Sequence, residues 1–205
     1  SEEETFDVMN ADWDNLIILD ACRYDELNRL SPFEAPVEKK TTLGARTPKW
    51  LKRNFLGEEY FNTVYVTSNP QTLRLENGEW GTEPIFHALR SIHDQWDEDT
   101  HTVLPHHTKE AGLKASEEFP NKRLIIHFNQ PHYPYIGKTA QRIKENENVS
   151  IGGLQIGEID YIDTNKQIPI DRIGLFEAIN GKYDISLRDL KKMYRETLQI
   201  ALEEV

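Results

Sequence analysis

Cysteine is almost absent from this chain: Cys22 is the single thiol in 205 residues. One thiol excludes an intrachain disulfide and any multi-cysteine zinc site. Basic residues are scarce beside acidic ones, 24 against 35, which leaves a net charge of -11. Such a balance argues against a nucleic-acid partner, because binders of that class present a basic face to phosphate. No apolar run approaches the ~20 residues that a membrane-spanning helix needs. No Gly-rich turn follows the first apolar run, so a dinucleotide-binding fingerprint is missing. The N-terminal Ser-Glu-Glu-Glu carries no secretory signal, which makes the cytoplasm the default expectation. Internal repeats and low-complexity tracts are absent too. What remains is the composition of one globular domain, residues 1–205, long enough to bury a substantial core.

Against that background, Asn15-Leu16-Ile17-Ile18-Leu19-Asp20-Ala21-Cys22-Arg23-Tyr24-Asp25 stands out. Four large aliphatic residues run together and stop at a carboxylate, the pattern of a central parallel strand buried on both faces. Residues 1–14 form a loose lead-in. A short helix is expected over 25–30. Thr47-Pro48 opens a second helix with Thr47 as N-cap, and Trp50, Leu51 and Phe55 form its apolar face. Strands are expected at 63–67, 102–104 and 123–128, and helices at 108–119 and 141–147. Ile85, Leu89, Ile92 and Trp96, spaced four, three and four apart, predict a helix over 84–96. Residues 73–82 read as a turn-rich connection around Asn77-Gly78. Residues 149–185, with Gly152-Gly153, Asp160, Asp163 and Asp171, read as an excursion from the core. Ser186 and Asp189 form a capping-box pair before a last helix striped by Leu187, Leu190, Tyr194, Leu198, Ala201 and Val205. Alternating strands and helices give an α/β class, a mainly parallel sheet flanked by helices.

Three places can carry chemistry. Asp20 falls at the carboxyl end of its strand, where open α/β sheets bind ligands. An isolated buried carboxylate is too costly to keep charged, so Asp20 needs a fold partner such as Arg23, or a cation. Thr47, at a helix start, is either a plain cap or a nucleophile activated by a neighbouring group. His132, in Pro131-His132-Tyr133-Pro134-Tyr135, is either bonded to a backbone carbonyl or set to face an oxyanion. His101, His106 and His107 form a further cluster, read as solvated loop residues or as ligands for a cation.

The segment ending in Asp20 resembles the first metal-ligand strand of the alkaline phosphatase superfamily, in its sulfatase-like branch. His127-Phe128-Asn129-Gln130-Pro131-His132-Tyr133-Pro134-Tyr135 is similar to the later strand whose histidine faces the substrate. Within that branch the chain looks like the sulfatase-like proteins of archaea, often associated with surface polysaccharide or lipid-linked chemistry. The resemblance covers about residues 13–137 and implies that Asp20 binds a divalent metal (Zn, Mn, Mg or Ca). It further implies that a hydroxyl attacks phosphorus or sulfur, and that His132 meets the anion. The implied substrate is an anionic phosphate or sulfate ester, glycan- or lipid-linked.

Departures from the family pattern are equally concrete. No Cys-x-Pro-x-Arg sequence occurs, so a formylglycine nucleophile is not expected. The usual nucleophile position, two residues before the helix proline, holds Arg46, which leaves Thr47, Thr41 and Thr42 as the hydroxyls to consider. The Asp-His (or Asp-Asn) pair that completes the family's metal site, on a strand after the helix corresponding to 186–205, is missing, and the chain ends before that expected strand. The expectation is therefore a hydrolase or phospho/sulfotransferase domain incomplete in this chain, or a non-catalytic binding or scaffold domain of the same fold. An exposed last helix would also favour self-association into a homo-oligomer.

Overall fold

The computed structural model describes residues 5–76, 80, 84–151, 171–173 and 183–205. Runs of β-branched and aromatic residues build four parallel strands: β1 (Asn15–Asp20), β2 (Tyr60–Thr67), β3 (Phe86–Ser91) and β4 (Arg123–Pro131). Their order across the sheet is β1-β4-β2-β3. The described helices are α1 (Tyr24–Leu30), α2 (Thr47–Phe55), α3 (Pro105–Glu118), α4 (Lys138–Glu147) and α5 (Leu187–Leu202), with a short turn of helix at Leu73–Glu76. The protein is thus an α/β fold with a four-stranded parallel sheet packed against helices. No helix among the described residues is long and apolar enough to cross a membrane.

Strand alternation divides the sheet into two apolar faces. On one face Leu16, Ile18, Tyr65 and Ile125 pack with Leu51 and Phe55 of α2. On the other, Val64, Val66 and Leu124 meet Ala111 and Ala115 of α3. Leu51 and Phe55 are fully buried, each contributing about 1.5–3 kcal/mol of burial. A third cluster, Ile143, Val149, Ile185, Leu190 and Met193, joins α4 to α5. The capping box at Ser186 is present: Asp189 N donates to Ser186 Oγ at 3.0 Å, and Ser186 N donates to Asp189 Oδ2 at 3.1 Å. At the ends of the expected stripe, Leu187 and Val205 are exposed.

Three expectations are corrected. First, β1 is an edge strand rather than a central one: it pairs only with β4 among the described residues, and Ile17 is 40% exposed. The doubly buried strands are β2 and β4. Second, residues 84–96 are not a helix. Phe86–Ser91 is β3, His93–Gln95 is a 3-10 turn, and Trp96–Asp97 pairs antiparallel with Thr102–Val103. Phe86 explains the difference. It lies off the supposed helical stripe, yet it is buried with its ring 5.2 Å from Phe55 and 5.1 Å from Tyr65. Packing an aromatic side chain against the neighbouring strand outweighs a local periodicity. Third, the N-cap of α2 is Arg46, and Thr47 is already inside the helix.

Outside the described residues lie the Asn77-Gly78 turn and most of the 149–185 excursion, including Asp160 and Asp163. Within that stretch, Val149–Ile151 and Asp171–Ile173 form a short parallel pair.

The first turn of α2 is pressed by Gly44. A Cβ there would lie 2.6 Å from Trp50 N and 2.9 Å from the Lys49 carbonyl carbon, both rigid backbone. Gly44→Ala is expected to cost about 1–3 kcal/mol, measured as a lower urea midpoint. An unchanged midpoint would mean that the loop yields freely.

Candidate functional site at the carboxyl edge of the sheet

β1, β2 and β4 are parallel, so their carboxyl ends share one edge. Asp20 closes β1, Asn69 follows β2 directly after Thr67-Ser68, and His132 follows β4. α2 starts at the same place. Its Thr47 Oγ1 lies 3.2 and 3.1 Å from the two carboxylate oxygens of Asp20 and donates to them. Asn69 Nδ2 donates to Asp20 Oδ2. Asn69 is itself fixed: its Oδ1 accepts from Gln71 N at 2.9 Å, and its own N–H donates to Thr67 Oγ1 at 3.0 Å. The carboxylate is therefore held by two neutral donors. Arg23 is not its partner, because that guanidinium pairs with Asp25 at 2.8 Å.

His132 is joined to the same cluster through the backbone. Its N–H donates to the Asp20 carbonyl at 3.0 Å, while its Nδ1 lies 2.6 Å from the Tyr133 carbonyl. Here the β1–β4 ladder slips: Leu19 pairs with Phe128 but Asp20 pairs with Pro131, so one step on β1 is matched by three on β4. Of the residues taken up in this bulge, Asn129 donates through its N–H to Ser68 Oγ at 2.9 Å, and Gln130 donates through Nε2 to the Val103 carbonyl at 3.0 Å.

A second polar layer lies beneath on the α2 side. Thr67 is in register with both His127 and Ser91, and His127 with Ile18. His127 is 1% exposed; its Nδ1 is 2.8 Å from the Tyr65 hydroxyl and its ring stacks on Tyr65 at 6.0 Å. Trp50 of α2 meets the His127 ring edge-on. His127 Nε2 and Ser91 Oγ are buried with no hydrogen-bond partner among the described residues. Burial pulls the His127 pKa down to about 4; the Asp20 charge opposes this and His132 adds to it. Burial, helped by Asp20, holds the Tyr65 hydroxyl well above the ordinary tyrosine range. The imidazole is accordingly neutral at pH 7.

The other candidate residues fall elsewhere. Thr41 and Thr42 pair with Thr5 and Phe6 in a separate ribbon, and the Thr42 hydroxyl donates to the Gly44 carbonyl. His101 is buried rather than solvated, whereas His106 and His107 stand in the first turn of α3 with rings 4.0 Å apart. Burial pushes the Cys22 thiol up to about 11, so it is not a ready nucleophile.

Among the described residues no three His, Cys, Asp or Glu side chains gather as a metal site would require. At Asp20 there are one carboxylate, one hydroxyl and one amide. Such oxygens belong to the ligand class of Mg2+, Mn2+ or Ca2+, but they are too few to complete a coordination sphere, and they do not fit tetrahedral zinc.

Asn69, His127 and Tyr65 were not identified from the sequence. Asn69 precedes Pro70, a pair that reads as a turn in sequence, but an asparagine before a proline at a strand's carboxyl end is also a cap facing the ligand edge. His127 was hidden in an apolar run, where an isolated histidine needs a buried partner. No protein-family model matches this chain, and no curated protein or solved structure matches it either.

Proposed function

We propose that this sheet edge is the ester-binding centre of a sulfatase-like domain, a hydrolase or phospho/sulfotransferase acting on a phosphate or sulfate ester. Asp20 would offer one carboxylate ligand to a Mg2+, Mn2+ or Ca2+ ion, which would stabilise charge developing on the ester. The observation that supports this reading is the Thr47–Asp20 contact. A hydroxyl in the first turn of α2 donates to a carboxylate, so its proton has an acceptor as the oxygen attacks phosphorus or sulfur. In the same helix turn Pro48 has no N–H and Trp50 N–H is taken by the Arg46 carbonyl, which leaves the Thr47 and Lys49 N–H groups on the side that favours an ester anion. His132, tied to Asp20 through the backbone, stands at that edge as the donor to an oxyanion.

One observation favours a second reading. Both Asp20 oxygens are already satisfied by neutral donors, which is what a structural clasp in a non-catalytic binding or scaffold domain would show. Isothermal titration of Mn2+ and Mg2+ into wild type and Asp20→Ala separates the two. The catalytic reading expects heat from wild type that disappears in Asp20→Ala, together with slow turnover of p-nitrophenyl phosphate or sulfate that disappears in Thr47→Ala. Without heat from either protein, the catalytic reading fails for this chain and the binding domain remains.

A further inference from the structure

We propose that the exposed face of α2 is a docking track for an acidic polysaccharide. Between residues 39 and 53 the sequence places Lys39, Lys40, Arg46, Lys49, Lys52 and Arg53 and no acidic residue, in a chain of net charge -11. All six side chains are exposed. Along α2, Arg46, Lys49 and the Lys52–Arg53 pair recur about once per turn, because Leu51, Asn54 and Phe55 take the buried side.

Two ordinary explanations do not account for this face. Helix stability accounts for Lys52 and Arg53, in the last turn, where the helix dipole favours cations. It runs the wrong way for Arg46 at the N-cap and Lys49 in the first turn, and that turn holds no acidic residue. Ion pairing does not serve either. Elsewhere on the surface, Arg90 pairs with Glu118, Lys109 with Glu204 and Arg195 with Glu26. Lys40 pairs with Glu38 at 2.9 Å; among the described residues, Arg46, Lys49, Lys52 and Arg53 have no carboxylate partner, although Lys52 Nζ lies 4.7 Å over the Trp80 ring and Arg53 donates one hydrogen bond to the Leu43 carbonyl.

The spacing selects the occupant. Three helical residues advance ~4.5 Å, so the track offers one cation per several ångströms over a length of ~10 Å. A linear polymer with one anion per sugar unit matches that sparse row. Duplex nucleic acid carries a charge every ~1.7 Å and would bring more anion than four cations can offset on an acidic protein. A membrane surface would need an exposed apolar side, whereas α2 turns its apolar side into the core. Asp20 plays no part in the track, so this proposal stands apart from the catalytic reading, although the track begins beside Thr47.

The test is fluorescence anisotropy of a labelled chondroitin sulfate oligosaccharide with the full chain. Wild type is expected to bind at ~50 mM salt and to weaken steeply by ~200 mM. Lys49→Glu with Lys52→Glu should weaken binding about tenfold or more, as expected when cations facing a polyanion are reversed. Lys114→Glu with Arg188→Glu makes the same change in net charge at exposed positions elsewhere and should have a far smaller effect. Glutamate suits the helix dipole at the first-turn position of Lys49 and opposes it at the last-turn position of Lys52, so the two effects offset and the urea midpoint should move little. The proposal is overturned if wild type does not bind, or if both reversed pairs lose equally. It is also overturned if a DNA duplex or phosphatidylserine vesicles bind as tightly as the oligosaccharide.

Discussion

Acidification from about pH 6.5 to about pH 4 is expected to remove about 3 kcal/mol of folding stability through His127 alone. Burial holds the folded pKa of this residue at about 4, against an ordinary value of 6.5. Below about pH 6.5 the unfolded chain therefore takes up a proton that the folded protein refuses. Stability falls through this interval and levels off below the folded pKa, where both states are protonated. His93 behaves in the same direction, with its pKa also lowered to about 4 by burial and both ring nitrogens buried without a partner among the described residues. Carboxylates such as Glu26, held down by the Arg195 guanidinium, lose their contribution only as pH falls below the usual glutamate range. The histidine loss thus comes first on the way down. Urea unfolding of wild type and His127→Gln at several pH values between 7 and 4 measures it. The variant should lose roughly half of the slope above pH 4.5, and a flat wild-type profile there would refute the assignment.

Replacing Asp20 with alanine is expected to cost about 3 kcal/mol even if no cation ever binds. Thr47 Oγ1 and Asn69 Nδ2 both donate to this carboxylate. Hydrogen bonds to a charged acceptor contribute roughly 1.5–3 kcal/mol each, and a donor left unpaired adds a penalty. Part of that is recovered by water, because Asp20 is only partly buried. Asp20→Asn keeps an acceptor for one donor and should lose about half as much. A double-mutant cycle of Asp20→Ala with Thr47→Ala should show coupling of about 1 kcal/mol. If the two losses simply add, the contact contributes nothing to folding.

The two doubly buried strands were legible because β-branched and aromatic residues crowd 63–67 and 123–128, where nothing but a sheet interior suits them. The last helix was legible from its own cap. Asp20 and Thr47 were legible as separate features, since each ends or begins an element at a position with chemical meaning. That they touch could not be read, because β1 and α2 are joined by a connection without a repeating pattern. The position of β1 at the sheet edge was equally hidden. A short apolar run looks the same with one neighbour as with two, and Ile17 reveals the difference only by its exposure. Residues 84–96 misled because a four-three-four spacing of apolar residues is compatible with a strand followed by a turn. The deciding contact, Phe86 on Phe55 and Tyr65, is non-local.

The slipped register between β1 and β4 couples two ends of the site mechanically. Proline has no amide hydrogen, so the residue opposite Asp20 cannot continue the ladder. The carbonyl of Asp20 is taken instead by the amide of His132. Any displacement of the His132 backbone would therefore strain the peptide that carries Asp20, and through its side chain Thr47 and the start of α2. The bulged residues Asn129 and Gln130, braced by Ser68 and Val103, form the fulcrum of that lever.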